Sequence, residues 1–515
     1  MKRNLVVRIL VLSCLAFGAL MLAACRKEAP AAAAPPPQTA AAQPAAANPD
    51  SDAKPDAAGG SAQYSPPDMV TTRKWTGDLD GMIERRIVRV LTTYSKTSYF
   101  VDRGTQRGLT YEAFRLFEDD LNKRLKNKNV RVHVVFIPVA HDELIPALIE
   151  GKGDIVAAQK LVTEWRREQV DFTNPTATNI SSIVVTGPGA PPITTVEDVG
   201  GKEVYLRKSD ISAKGLEQFN GQLARAGKPP VRIRNAPEVL ADEDLLEMVN
   251  AGLVPMTVTR DFVGEFWKQV FPDLVLNTSA PILTGGQTAF MIRKNSPRLM
   301  AELNAFIARY PAGSLQRNVL FQKYLKNAKY AKAATSDSEV AKFRQTVEFV
   351  KKYSDQYGLD YLLMAAQAYQ ESGLDQTKKS PVGAIGVMQV MPATGADMKV
   401  GDIMKLDPNV HAGVKYMRFM MDRYYGGEHM TPLNKGLFTF ASYNAGPARI
   451  NQLRHRAAAR GLNPDQWFNN VEVIASETIG RETVQYVSNI YKYYLAYKLL
   501  MEQQQQRVKA KTATQ

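Results

Sequence analysis

The hydrophobic period of this chain changes once, and the change divides it into two kinds of fold. From about Glu84, short β-branched runs alternate with helical ones. "RIVRVLTTY" (86 to 94) reads as strand, and "GLTYEAFRLFEDDLNKRL" places Tyr111, Phe114, Leu116, Phe117 and Leu121 at helical spacing. "VRVHVVFIPV" (130 to 139) returns to strand, and "HDELIPALIEGKGDIVAA" goes back to helix before the next strand. The rhythm persists in "KEVYLRK" (202 to 208), "PPVRIRNA" (229 to 236) and "VPMTVTR" (254 to 260). Such alternation predicts a mostly parallel sheet with helices on its faces, a class that binds ligands at the carboxyl ends of its strands. Residues 312 to 340 begin helical and end in small polar residues, which marks a linker. From about Ala341 nothing alternates like a sheet: "VAKFRQTVEFVKKYSDQYG", "DYLLMAAQAYQES" and "VQYVSNIYKYYLAYKLLM" all carry apolar residues at helical spacing. A chain of 515 residues is too long for one core. The expectation is a multidomain protein, with an α/β region over 84–325 and an all-helical region over 341–503.

The N-terminus belongs to neither region. Lys2, Arg3 and Arg8 accompany the apolar stretch "ILVLSCLAFGALMLAAC", which has the charged and hydrophobic parts of an export signal and is short for a membrane span. Residues 1–24 are therefore expected to be a signal peptide. Its end, Leu22-Ala23-Ala24-Cys25, resembles a bacterial lipobox, which implies cleavage before Cys25 and lipid modification of that cysteine, hence a membrane anchor. With Arg26 rather than aspartate following, the sorting pattern that this resemblance brings implies the outer membrane, with the protein facing the periplasm. Residues 25–66 are dominated by alanine and proline, with almost no side chain large enough to seed a core, so they read as a disordered tether. Residues 504–515 read as a disordered tail.

Formal net charge is +14, which suits an anionic polymer or lipid surface as well as nucleic acid. No zinc-ligand cluster, P-loop or RNP-like aromatic signature accompanies it, so no nucleic-acid partner is expected. The five histidines and the one cysteine outside the signal form no ligand-spaced group, so neither a metal nor another cofactor is expected.

"LIPALIEGKGDIVAAQKLVTEWRREQVDFTNP" (144 to 175) resembles the signature of periplasmic solute-binding proteins of the amino-acid-binding type. The resemblance implies a two-lobed α/β fold that closes on a small ligand, here an amino acid or a muropeptide. It implies that Arg166, in the portion beginning at Thr163, clamps a ligand carboxylate, and that Asp261 from the second lobe holds a ligand amine. Guanidinium and carboxylate suit those tasks, as a bidentate donor fork and as an acceptor for ammonium.

In the helical region a carboxylate, Glu371, closes the apolar run "AAQAYQES". Met364, Ala365 and Ala368 are its helical neighbours, and Ser372-Gly373 looks like a helix end. A lone helical glutamate is usually a solvated charge. This one is followed by "SPVGAIGVMQVMPAT" (380 to 394), "ASYNAG" (441 to 446) and "GRETVQYV" (480 to 487), the last placing Glu482 and Tyr486 on one helix face. The joint order resembles the lytic transglycosylase domain related to soluble lytic murein transglycosylase and goose-type lysozyme. The resemblance implies an all-α lysozyme-like fold that cleaves peptidoglycan glycan strands with Glu371 as general acid and then base. It implies that Ser372 orients Glu371 or a nearby sugar, and that Gln389, Met391, Tyr443 and Asn444 line the saccharide groove. Glu482 and Tyr486 belong to the architecture of the cleft, where a packing role for Tyr486 is as good a reading as substrate contact. An apolar setting raises a carboxyl's pKa above about 4.3, which keeps a proton available near neutrality. Two other outcomes stay open at this point: a hydrolase using water as acceptor, or a non-catalytic envelope lipoprotein that grips glycan or solute.

Overall fold

The computed structural model describes residues 74–512, apart from 103, 127–129, 192 and 334–336. The expected signal peptide, Cys25 and the tether lie outside the described residues. Among the described residues no helix is long and apolar enough to cross a membrane.

The first lobe is built on a five-stranded sheet ordered β4-β1-β5-β12-β6. β1 (Ile87–Thr92) runs parallel to β4 (His133–Pro138) and to β5 (Ile155–Val156), while β12 (Met291–Ile292) is antiparallel to β5 and to β6 (Asp171–Phe172). Successive strand residues point to opposite faces, and here both faces are covered. Val88 and Val90 pack with Phe114, Phe117 and Leu121 of the helix Leu109–Arg124, whereas Leu91 packs on the other side with Leu144 and Leu148 of the helix Leu144–Ile149. This is why "RIVRVLTTY" is apolar almost throughout.

The chain crosses to the second lobe through β7 (Ala177–Thr186) and returns through β11 (Val275–Thr288). Both pair antiparallel, β10 (Met256–Arg260) and β11 flanking β7, while β8 (Glu203–Arg207) and β9 (Arg232–Ala236) form a parallel pair. The expected mostly parallel sheet thus holds in the first lobe and fails in the second. The difference lies in β7 and β11, which serve as crossing strands as well as sheet and so run against each other.

The C-terminal region is helical, as its period predicts. One core gathers Met364 and Ala368 of the helix Tyr361–Ser372, Met388 and Val390 of the glycine-rich segment, Phe438 and Phe440 of the helix Pro432–Ala445, and Val487 of the helix Arg481–Thr512. That last helix continues past residue 503, so residues 504–512, expected in a disordered tail, are helical. "QQQRVKAKT" holds strong helix formers and no glycine or proline to stop it. The same helix lies against the first lobe. Lys492 Nζ donates to Glu118 Oε2 at 3.2 Å, both groups buried, and the Tyr497 hydroxyl donates to the Gly104 carbonyl at 2.7 Å.

Candidate active site

The helix Tyr361–Ser372 starts at Asp360, whose carboxylate accepts from Leu362 N at 2.9 Å and caps the first turn. It ends at Gly373, in the left-handed region at φ +73°, whose N–H donates to the Tyr369 carbonyl at 2.8 Å. Glu371 therefore sits in the final turn, on a rigid element whose direction is about to change. Its side chain is half-buried, and the Tyr486 hydroxyl donates to Glu371 Oε1 at 2.5 Å. Gln367 stands behind Tyr486, its Nε2 3.5 Å from the hydroxyl. Lys378 reaches back to donate to the Glu371 carbonyl at 3.0 Å. Burial pushes the Glu371 carboxyl up to about 7, against the opposing pull of the Tyr486 hydrogen bond and the Lys378 charge. Desolvation wins, and a carboxyl poised near 7 can both give and take a proton.

The remaining expected residues divide into contacts with Glu371's surroundings and supports of the backbone around it. Ser372 Oγ donates to the Val387 carbonyl at 2.9 Å and accepts from Asp375 N at 3.1 Å, so it ties the acid-bearing helix to the glycine-rich segment. Gln389, itself at φ +48°, donates through Nε2 to the Gly386 carbonyl at 2.9 Å, and Tyr443 donates to the Met388 carbonyl at 2.8 Å. Both side chains are buried and hold the loop. Met391 is half-buried at the head of the helix Pro392–Met398. Asn444 Oδ1 accepts from Thr483 at 2.7 Å, which joins the "ASYNAG" segment to the helix that carries Tyr486. Glu482 is exposed, with its carboxyl raised by partial desolvation. Tyr486 is buried and brought directly onto Glu371.

Sequence reasoning missed Asn409 and Lys378. Asn409 is fully buried, accepts from Met388 N at 2.9 Å and donates to the carbonyls of Ile385 at 2.8 Å and Ile403 at 3.0 Å. One amide thus fastens the glycine-rich loop at Ile385 and Met388 to the turn at Ile403, and nothing local marks it, since Asp407, His411 and Lys415 share its helix.

In the α/β region the cleft between the lobes encloses a cavity of about 50 Å³. Arg166 lines it, buried, and donates to the carbonyls of Leu161 at 2.6 Å and Ser209 at 3.4 Å. Thr163 precedes the short helix Glu164–Arg167, with its buried hydroxyl making no hydrogen bond. Asp261 is not brought into the cleft. It opens the helix Asp261–Lys268, where its carboxylate accepts from Ser181 N at 3.2 Å and Phe262 N at 2.8 Å, and it faces a separate apolar cavity of about 390 Å³. β10 presents Thr259 and Arg260 to the cleft, the latter bonded to the Gln159 carbonyl at 2.8 Å and to Asp242 at 2.7 Å. Trp165 lies between two cations from opposite lobes, the Arg166 guanidinium 4.8 Å and the Lys214 ammonium 4.5 Å from its ring centre.

Residues 348–465 match the family described as Transglycosylase SLT domain, and residues 87–327 match Bacterial extracellular solute-binding proteins, family 3. Fold and site together define a transglycosylase domain carried behind a two-lobed solute-binding domain. Curated proteins named membrane-bound lytic murein transglycosylase F match both halves at once. That of Desulfosudis oleivorans is 27% identical over 79% of this chain and 88% of its own length. Those of Pseudomonas fluorescens, at 26%, and Shewanella pealeana, at 27%, cover 81% and 78% of this chain and 85% and 83% of theirs. Along both halves the chain is similar to the membrane-bound lytic murein transglycosylase F proteins.

Proposed function

We propose that this lytic transglycosylase cleaves the β-1,4 bond between N-acetylmuramic acid and N-acetylglucosamine of peptidoglycan without water. Glu371, protonated, gives its proton to the glycosidic oxygen as the bond from the muramyl C1 to that oxygen breaks. The carboxylate so formed then takes the proton of the muramyl C6 hydroxyl while O6 closes on C1, which leaves a 1,6-anhydro end and restores the acid. The observation that carries this reading is the half-buried Glu371 carboxyl raised to about 7 and held by Tyr486. Tyr486 and Lys378 bear on its proton, and neither is the second carboxylate that a two-acid glycosidase uses. Mass spectrometry of digested wall tests it. Anhydromuramyl ends are expected, reducing ends would make the protein a hydrolase, and an uncut wall would make it a binder.

The second part of the proposal is control. A small ligand held between the lobes biases cleavage, since the hairpin of β2 (Phe100–Asp102) and β3 (Thr105–Arg107) touches the acid-bearing helix. Thr105 Oγ1 and the Tyr369 hydroxyl lie 2.9 Å apart, two residues from Glu371. The ligand acts by binding two states of that contact unequally. The protein is held to a membrane of the cell envelope, in keeping with its relatives' name, by lipid on Cys25 and sorted to the outer membrane facing the periplasm. Metabolic labelling with a palmitate analogue, lost in Cys25→Ser, tests the anchor.

A further inference from the structure

The residues that close on the interlobe cavity carry an unbalanced charge. Lys160 and Arg166 come from the first lobe and Arg207 and Arg260 from the second, against two carboxylates, Asp210 and Asp242. Asp242 is already bridged by Arg207 and Arg260, and Asp210 is committed to Ser212 N at 2.9 Å and to Arg207 at 3.6 Å. Among the described residues Arg166 donates to carbonyls and lies over the Trp165 ring, and Lys160 meets the His141 ring nitrogen, 2.7 Å away. Closure is nevertheless in place. The His141 N–H donates to the Glu238 carbonyl at 3.2 Å, Arg260 reaches the Gln159 carbonyl, and Lys96 N donates to Glu243 at 2.6 Å, each bond joining one lobe to the other. Bringing like charges together in a desolvated cleft costs energy that a bound anion would offset.

We infer that the ligand of this cleft is a compact dianion, a short dicarboxylate or a phosphate group, bridged by Lys160 and Arg166 of one lobe and Arg260 of the other. The inference rests on the reading above that this cleft takes a small ligand, and it narrows that reading to a charge class. An α-amino acid needs a free carboxylate for its ammonium. Asp261, the residue expected to supply it, faces away, and a guanidinium occupies the corresponding place. The size agrees. On this measure a water takes about 10–15 Å³, so a cavity of about 50 Å³ holds a few heavy atoms in the closed form.

A second consequence gives the test its signature. Burial holds the Lys160 ammonium down to about 7, with Arg207 and Arg166 adding to the push and Asp210 and Asp242 opposing it. The neighbouring His141 is also lowered, by burial and then by Arg207 and Lys160, so it does not compete for the proton near neutrality. A dianion beside Lys160 favours its charged form, so binding at pH 8 takes up a proton.

Isothermal titration of the intact chain at pH 8, in two buffers of different ionisation enthalpy, is the experiment, with malonate, inorganic phosphate, arginine and glutamine as probes. Malonate or phosphate is expected to bind with uptake approaching one proton, and arginine and glutamine not to bind. Which of the two dianions binds more tightly separates a carboxylate source from a phosphate one. Lys160→Met should weaken dianion binding at least 10-fold and abolish the uptake, and Arg260→Gln should weaken it to a similar degree with circular dichroism unchanged. Binding of arginine or glutamine with neither dianion bound overturns the charge class while leaving a ligand cleft. Binding of none of the four overturns both. Dianion binding untouched in Lys160→Met overturns the assignment of the bridge.

Discussion

At the scale of single residues, the chemistry reduces to where one proton resides. In the proposed mechanism Glu371 is protonated when it acts first, and its carboxyl sits at about 7, so cleavage is expected to fall as pH rises above neutrality. Glu371→Gln should reduce cleavage at least about 10³-fold, since it removes the proton donor and keeps the shape. The same substitution carries a stability signature of known sign. A carboxyl raised on folding binds more protons in the folded state between pH 4.5 and 7, so its contribution is full below 4.5 and is lost as pH rises through 7. Glu371→Gln is spared that loss, and its melting temperature should exceed the parent's at pH 8 by the equivalent of at most about 3 kcal/mol, the gap closing below pH 4.5. Thermal melts from pH 4 to 8 read it directly. Tyr486→Phe tests the opposite sign, because the Tyr486 hydrogen bond holds the carboxyl down. Its removal should move the alkaline limb of the pH–rate profile upward, and an unmoved limb would mean that Tyr486 only packs.

At the scale of elements, the glycine-rich loop shows what the sequence could convey and what it could not. Gly386 adopts φ +74°, and a Cβ there would lie 2.5 Å from Gln376 Nε2 and 2.6 Å from Asn409 Nδ2. Gly386→Ala should therefore destabilise the protein by on the order of 3 kcal/mol, from backbone strain and overpacking together, and lower cleavage by displacing Val387, the Ser372 partner. Urea unfolding followed alongside activity checks both. The pattern of glycines was legible, as were the strands β1, β4, β8, β9 and β10 and the helix that carries Glu371 in its last turn, because each is written in a local period. Asn409 was not legible, since its meaning is three hydrogen bonds to segments 6 to 24 residues away in the chain. Nor was the place of Asp261. Where β10 gives way to a helix, a one-residue step decides which side chain faces the cleft, and period-two reasoning stops at that junction. The antiparallel course of β7 and β11 likewise follows from crossing between lobes, which no window of sequence contains.

At the scale of the whole molecule, the two halves meet through charges that are buried and far apart in sequence. Lys492 of the C-terminal helix pairs with Glu118 of the first lobe, and Glu118 also accepts from Val134 N at 2.8 Å in β4. Burial alone would push the Glu118 carboxyl up, yet Lys492 and then His133 hold it well below the usual range, while burial lowers the Lys492 ammonium against the pull of Glu118. A second bridge, Arg86 to Glu472 at 2.5 Å, joins the start of β1 to the helix Glu472–Thr478. Such pairs add little over apolar substitutes of the same shape, but breaking one partner leaves a charge stranded out of water, at a cost of about 3–5 kcal/mol. Lys492→Met should therefore destabilise the intact chain by about that amount, and adding Glu118→Gln should recover a large part of it, a coupling that differential scanning calorimetry on the four members of the cycle measures. Additive losses would mean that the two halves are not held by this pair. Coupling of the expected size also bears on the proposed control, because the helix of Lys492 carries Tyr486 less than two turns earlier, and Tyr486 donates to Glu371 Oε1. A lobe that shifts on binding its ligand would pull on that helix through Glu118, so the single variant should also blunt any effect of the cleft ligand on cleavage rate, and the double variant should restore rigidity without restoring the ion pair.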